Sequence, residues 1–124
     1  TRDALEPNKQ KLFMNGPAIL LFTLNQVPIL LNKTLNKNGL VLKDIDLFIF
    51  HQASKLVLDL LCKKIGIEKD KTFSNLEKKG NTVSCSIPIA LKDAYLENKL
   101  MPGYKVLIIG FGVGYSLGST VIRW

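Results

Sequence analysis

The chain has 124 residues, 47% hydrophobic and 8% aromatic, which is enough for one core and too apolar for a disordered polymer. Seventeen Lys and Arg against ten Asp and Glu leave a formal charge of +7. That charge favours acidic partners, but without an aromatic-interleaved basic strand it gives no further support to a nucleic-acid reading. Two cysteines outside any Cys-x-x-Cys pair and a single histidine exclude a structural zinc site, and free thiols fit a reducing cytoplasm.

Residues 1–11 are polar and read as a frayed leading segment, with one domain expected over residues 12–124. No secretion signal opens the chain. From Gly16-Pro17 onward, Ile19, Leu20, Phe22, Val27, Leu30, Leu31 and Leu35 recur at helical spacing. They predict a long helix, kinked or split near Pro28, that stops at Asn38-Gly39. Its run 18–31 is interrupted by Asn25, Gln26 and Pro28 and is too short for about 30 Å of hydrocarbon. It therefore reads as a buried helix and not as a membrane segment.

Residues 46–50 form a nearly continuous apolar run, the pattern of a strand buried on both faces, and His51 stands at its end. Residues 52–65 predict a helix with Leu56, Val57, Leu60, Leu61 and Ile65 on one face, Lys63-Lys64 near its negative end and Gly66 as the stop. The charged stretch 68–79 reads as a loop leading to Gly80-Asn81-Thr82, a turn or cap signal. A helix is expected over 84–98, with Pro88 early in it. Residues 105–109 predict a second buried strand, followed by Gly110-Phe111-Gly112-Val113-Gly114 and a final strand over 116–124 with Gly118 inside it. This order implies an α/β layered domain.

Three features invite chemistry. His51 lies where open α/β sheets present functional groups, at the carboxyl end of a strand. The glycines at 110, 112 and 114 do not fit the dinucleotide fingerprint, because a strand and not a helix follows them; they predict a tight strand-to-strand turn whose backbone approaches something closely. Cys62 and Cys85 fall on predicted apolar helical faces, where burial suppresses thiol reactivity. The lysines at 63–64, 69–71 and 78–79 flank the proposed site on one side, although such runs are usually solvated surface.

Taken in order, His51-Gln52-Ala53, Gly80-Asn81-Thr82 and Gly110-Phe111-Gly112-Val113-Gly114 with Gly118 resemble β-ketoacyl-acyl-carrier-protein synthase III. Phe13-Met14-Asn15-Gly16, Asp44-Ile45-Asp46, Ser86-Ile87-Pro88-Ile89-Ala90-Leu91 and Pro102-Gly103 are similar to that family too, but only to its carboxy-terminal half. The resemblance implies a thiolase-like α/β fold, this chain forming one half of a five-layered αβαβα arrangement. It also implies a Cys-His-Asn triad with His51 and Asn81 here and the cysteine in an N-terminal half, so that the chain alone is inactive. In such enzymes the cysteine takes an acyl group from acyl-coenzyme A, malonyl-acyl carrier protein loses carbon dioxide, and the carbanion attacks the acyl thioester. Acyl-coenzyme A and malonyl-acyl carrier protein are substrates, and no cofactor or metal is expected.

A neutral imidazole at His51 and the amide of Asn81 would supply two directed N–H donors to a developing enolate without a buried charge. By resemblance, the loop Gly112, Val113 and Gly114 brings the backbone N–H of Val113 against the acyl oxygen. The expected partners are acyl carrier protein, coenzyme A thioesters, the N-terminal half and a second copy in a homodimer, with no nucleic acid and no membrane. The sequence departs from the family at Ser54, at Leu56 in place of an arginine associated with carrier docking, and at Leu117 in place of a tryptophan. Lys55, Lys63 and Lys64 are the candidates to dock the carrier instead. The alternatives are a related condensing enzyme of secondary or surface-polymer metabolism, or a non-catalytic carrier-binding module.

Overall fold

The computed structural model describes residues 14–124, so the expected leading segment 1–11 and Phe13 lie outside the described residues. Three strands form one mixed sheet in the order β1-β2-β3. Here β1 (Leu47–Phe50) runs parallel to β2 (Lys105–Gly112), and β2 runs antiparallel to β3 (Ser116–Arg123). The β1 register, Leu47 opposite Val106 through Phe50 opposite Ile109, sets the carboxyl end of β1 beside the middle of β2.

All four β1 residues are buried because alternate side chains serve different layers. Phe48 and Phe50 join Leu107, Ile109 and Phe111 beneath α1 (Gly16–Lys37) and α2 (Lys55–Ile65), which contribute Val27, Leu31, Leu58 and Leu61. Leu47, Ile49 and Val106 face the other way, onto Ala90 and Ala94 of α4 (Ser86–Leu96). The result is a helix–sheet–helix stack, in agreement with the α/β expectation.

α1 differs from expectation in two ways. It runs unbroken for 22 residues with Pro28 inside it, so no split occurs. The buried stripe Thr23, Val27, Leu31, Thr34 and Leu35 spans the proline on both sides and holds the helix together although Pro28 donates no N–H. At about 1.5 Å per residue, 22 residues also reach the hydrocarbon thickness of a bilayer. Its composition is apolar enough as well, so length does not exclude a span; the stripe Val27, Leu31 and Leu35 nevertheless packs in the core with α2 and the sheet.

α2 begins at Lys55 and not at residue 52, because the Ser54 hydroxyl accepts from the Val57 N–H at 3.2 Å and caps it. Its buried positions are Leu58 and Leu61, while Leu56 is 63% exposed, so the apolar face is rotated from the predicted one. The stretch expected to be a loop at 68–79 holds Thr72 in a parallel bridge with Phe48, buried Phe73 and Asn75, and the one-turn helix α3 (Leu76–Lys79). α4 starts only at Ser86, after a tight turn over Val83–Cys85. Cys85 is consequently exposed and not on an apolar helical face, whereas Cys62 is half-buried and burial pushes its thiol up.

Candidate active site

His51 leaves the carboxyl end of β1 with its backbone N–H donating to Ile109 O at 2.8 Å, which extends the parallel ladder by one residue. The ring is half-buried, and its Nδ1 lies 2.6 Å from the hydroxyl oxygen of Ser86, the first residue of α4. Phe111 of β2 meets the ring edge-on, with centroids 5.4 Å apart and planes at 82°. Burial holds the imidazole below its ordinary pKa of 6.5, so the neutral form predominates at pH 7.

The next residue is fixed more firmly still. Gln52 is fully buried, donates from Nε2 to Phe50 O at 2.9 Å, and accepts at Oε1 from the Ser74 hydroxyl at 2.7 Å. Its backbone N–H donates to Ser86 Oγ at 3.4 Å. One serine therefore touches both His51 and the peptide that follows it.

Asn81 follows Gly80, whose φ of +68 and ψ of −170 fall in a region that is essentially open only to glycine. The Asn81 Oδ1 accepts the Val83 N–H at 2.9 Å, which orients the amide, and among the described residues the Nδ2 donors have no partner. Val83 itself is β-branched with a φ of +53, an outlier of the kind that collects at functional sites, and is 73% exposed. No hydrogen bond joins Asn81 to His51 among the described residues; the turn at 83–85 carries the chain from Asn81 to Ser86, and so to the histidine.

The glycine stretch is a hairpin. β2 continues through Gly112, which opposes Ser116, and Val113 to Tyr115 make the turn. Gly114 has a φ of +117, the Val113 carbonyl accepts the Ser116 hydroxyl at 3.1 Å, and Tyr115 stacks on Phe22 of α1 at 4.9 Å. The expected close approach of backbone to a neighbour is not met within the described residues: a Cβ at Gly112 or Gly118 would have open space, and one at Gly110 would touch only the Ile87 side chain. Phe111, between the glycines, ties this hairpin to His51.

The lysines do not gather at this site. Lys55, at the first turn of α2, pairs with Glu77 at 2.8 Å; that bond raises the lysine and lowers the carboxyl. Lys63 and Lys64 lie two turns further on, roughly 12 Å along the helix, and Lys64 bonds Asn25 of α1. A recess of about 670 Å³ opens between α2 and residues 72–78, lined by Phe50, Leu58, Cys62 and Phe73, and it includes neither His51 nor Asn81.

Residues 35–124 match the family described as 3-oxoacyl-[acyl-carrier-protein] synthase III, C terminal. The chain belongs to that family. Among relatives, β-ketoacyl-[acyl-carrier-protein] synthase III of Porphyra umbilicalis is 39% identical over 111 residues, covering 90% of this chain and 34% of the relative. The same enzyme of Natranaerobius thermophilus is 36% identical over 124 residues, covering 100% of the chain and 38% of the relative. Among solved structures, the synthase III of Thermus thermophilus superposes with a TM-score of 0.89 at 31% identity, covering 96% of this chain and 38% of that one. The priming β-ketosynthase of the R1128 polyketide pathway superposes at 0.87 and 26% identity, covering 98% and 37%.

The chain thus spans little more than a third of the length of these synthase III relatives, and its thiolase-like α/β fold is theirs. Leu56 places an exposed apolar side chain on the first turn of α2 beside Lys55. Ser54 contributes the cap of that helix. Sequence reasoning missed Ser86 and the buried Gln52–Ser74 contact. The only signal was the placement of small polar residues next to His51 and at the start of a predicted helix.

Proposed function

We propose that this chain supplies the histidine and asparagine of a 3-oxoacyl-[acyl-carrier-protein] synthase III that joins an acyl-coenzyme A primer to malonyl-acyl carrier protein. A cysteine elsewhere in the complete protein takes the acyl group as a thioester. The malonyl carboxylate then leaves as carbon dioxide, its bonding pair forms a carbanion at C2, and this attacks the thioester carbon and expels the cysteine thiolate. His51 and Asn81 each offer an N–H to the malonyl thioester oxygen, where negative charge develops before attack. The Val113 backbone N–H serves the acyl oxygen within the loop Gly112, Val113 and Gly114.

The supporting observation is Asn81: the Val83 N–H holds its Oδ1, and no described residue engages its two Nδ2 donors. A histidine held neutral by burial is the matching partner. Both substrates arrive as thioesters, and the chemistry asks for neither metal nor cofactor. Lys55, exposed at the first turn of α2, is the docking contact for the carrier protein and would exchange its solvent-exposed bond to Glu77 for an acidic residue of the carrier, with Lys63 and Lys64 as more distant attraction. Exposed Val83, Val113 and Tyr115 around the site are the apolar surface that the N-terminal half and a second copy in a homodimer would cover. The setting is cytoplasmic.

The test is to incubate the complete protein with acetyl-coenzyme A and malonyl-acyl carrier protein and read the carrier by mass spectrometry. The 3-oxoacyl carrier is the expected product; unchanged malonyl carrier refutes this reading. The likeness to a polyketide priming synthase favours a second reading, a condensing enzyme of secondary metabolism, in which longer or branched primers react faster and give the correspondingly longer or branched 3-oxoacyl carrier.

A further inference from the structure

We propose that Ser86 is a positioning residue that fixes the neutral tautomer of His51, donating its hydroxyl proton to Nδ1 so that Nε2 carries the ring proton. The inference rests on the reading of His51 as a donor at the condensing site, but its geometry stands apart from that reading. Ser86 is 2% exposed, so its hydroxyl has no free access to water. The Gln52 backbone N–H already donates to Ser86 Oγ at 3.4 Å, and the His51 Nδ1 lies 2.6 Å away.

Consider the two neutral tautomers. If Nδ1 carried the proton, Ser86 Oγ would accept from both the ring and the Gln52 N–H, and its own proton would need another acceptor. Among the described residues no such acceptor lies in hydrogen-bond range, so a buried donor would be orphaned, which is expensive in a water-poor setting. If Nδ1 is bare, the chain from the Gln52 N–H to Ser86 Oγ and from its hydroxyl to Nδ1 satisfies every group. The first residue of α4 is also a rigid place from which to aim a hydroxyl, since Ile87 and Ala90 of the same helix pack on the sheet. Gln52, fully buried with both ends of its side chain bonded, prevents the peptide after His51 from shifting away.

His51 is the single histidine of these 124 residues, and its ring signals in the complete protein are assigned by their loss in His51→Gln. Long-range proton–nitrogen correlation on the complete protein, labelled with ¹⁵N-histidine, should show Nε2 protonated and Nδ1 bare in the wild type. Ser86→Ala should shift the tautomer ratio toward Nδ1–H by roughly fivefold, the equivalent of one ordinary hydrogen bond, and Ser86→Thr should restore it. A wild-type ring protonated at Nδ1, or a ratio unmoved by Ser86→Ala in a folded chain, overturns the proposal. Should the alanine variant unfold, the wild-type tautomer together with the Ser86→Thr spectrum decides. The measurement needs no substrate, so it can fail while condensation by the complete protein succeeds, or the reverse.

Discussion

Replacing Gln52 by Met probes the polar anchor behind the site with little change in volume. Gln52 has no exposed surface and makes two side-chain hydrogen bonds, to Phe50 O at 2.9 Å and from the Ser74 hydroxyl at 2.7 Å. Methionine fills a similar space, so the cavity contribution is small. Losing the two hydrogen bonds, one of them buried, costs up to about 1 kcal/mol each net, and the buried Phe50 carbonyl, deprived of a donor, adds about 1 kcal/mol more. Ser74 is exposed and turns to water, so it adds little. The sum is about 2–3 kcal/mol, a large share of the 5–15 kcal/mol typical of a domain. Urea unfolding of the 124-residue chain, followed by circular dichroism, should show the midpoint fall at an unchanged slope. A loss smaller than about 1 kcal/mol would refute the view that this amide anchors the strand end.

The His51 titration followed by NMR should have its midpoint below 6.5, because burial disfavours the charged ring. Between that midpoint and 6.5 the unfolded chain binds more protons than the folded one. This contribution to stability is therefore present above 6.5, falls as the pH drops through the window, and is lost below the folded pKa. His51→Gln should remove that slope, and a midpoint at or above 6.5 contradicts it. Leu61→Ala, at a fully buried position of α2, should cost about 2–5 kcal/mol in the same urea assay, whereas Leu56→Ala on the exposed face should stay within about 0.5 kcal/mol. A larger loss at Leu56 than at Leu61 would show the helix face to be misplaced. Glu77→Gln should leave the thermal midpoint where it is, since both ends of its bond to Lys55 are in solvent.

Much of the architecture was legible because its signals are local. The continuous apolar run ending at Phe50 reads as a doubly buried strand, and alternation of Phe48 and Phe50 against Leu47 and Ile49 is what that burial requires. Gly39 and Gly66, with φ of +64 and +81, stop α1 and α2 where a left-handed residue was expected. What escaped depends on partners distant in sequence. Pro28 suggests a break that the packed stripe on either side of it overrides. α2 begins three residues late because Ser54 takes the cap, and its buried face is set by where α1 and the sheet lie, which brings Leu58 in and leaves Leu56 out. Residues 72–75 look like loop because their strand-like pairing is one bridge, to Phe48, that no local periodicity announces.

The candidate site divides in the same way. His51, Asn81 and the glycine hairpin were visible as a spaced set, and the structure adds how each is held: Ser86 on the ring, the Val83 N–H on the amide, and Phe22 beneath Tyr115 at the turn. Ser86 stands 35 positions from His51, so nothing in composition or spacing couples the two. The lysine runs are the opposite case. They look like one docking patch along the chain, yet α2 separates Lys55 from Lys63 and Lys64, and Glu77 occupies Lys55.

The most direct test of the assigned roles is a partition experiment on the complete protein carrying His51→Ala or Asn81→Ala. Acyl transfer from acyl-coenzyme A to the protein is read by intact mass, and carbon dioxide release and condensation with malonyl-acyl carrier protein are read in the same preparation. The account predicts that each variant still becomes acylated while decarboxylation and condensation fall by about 10²–10³-fold, the range for losing one directed donor to a developing oxyanion. Condensation unimpaired in both variants, or acylation lost to the same degree as condensation, would contradict it.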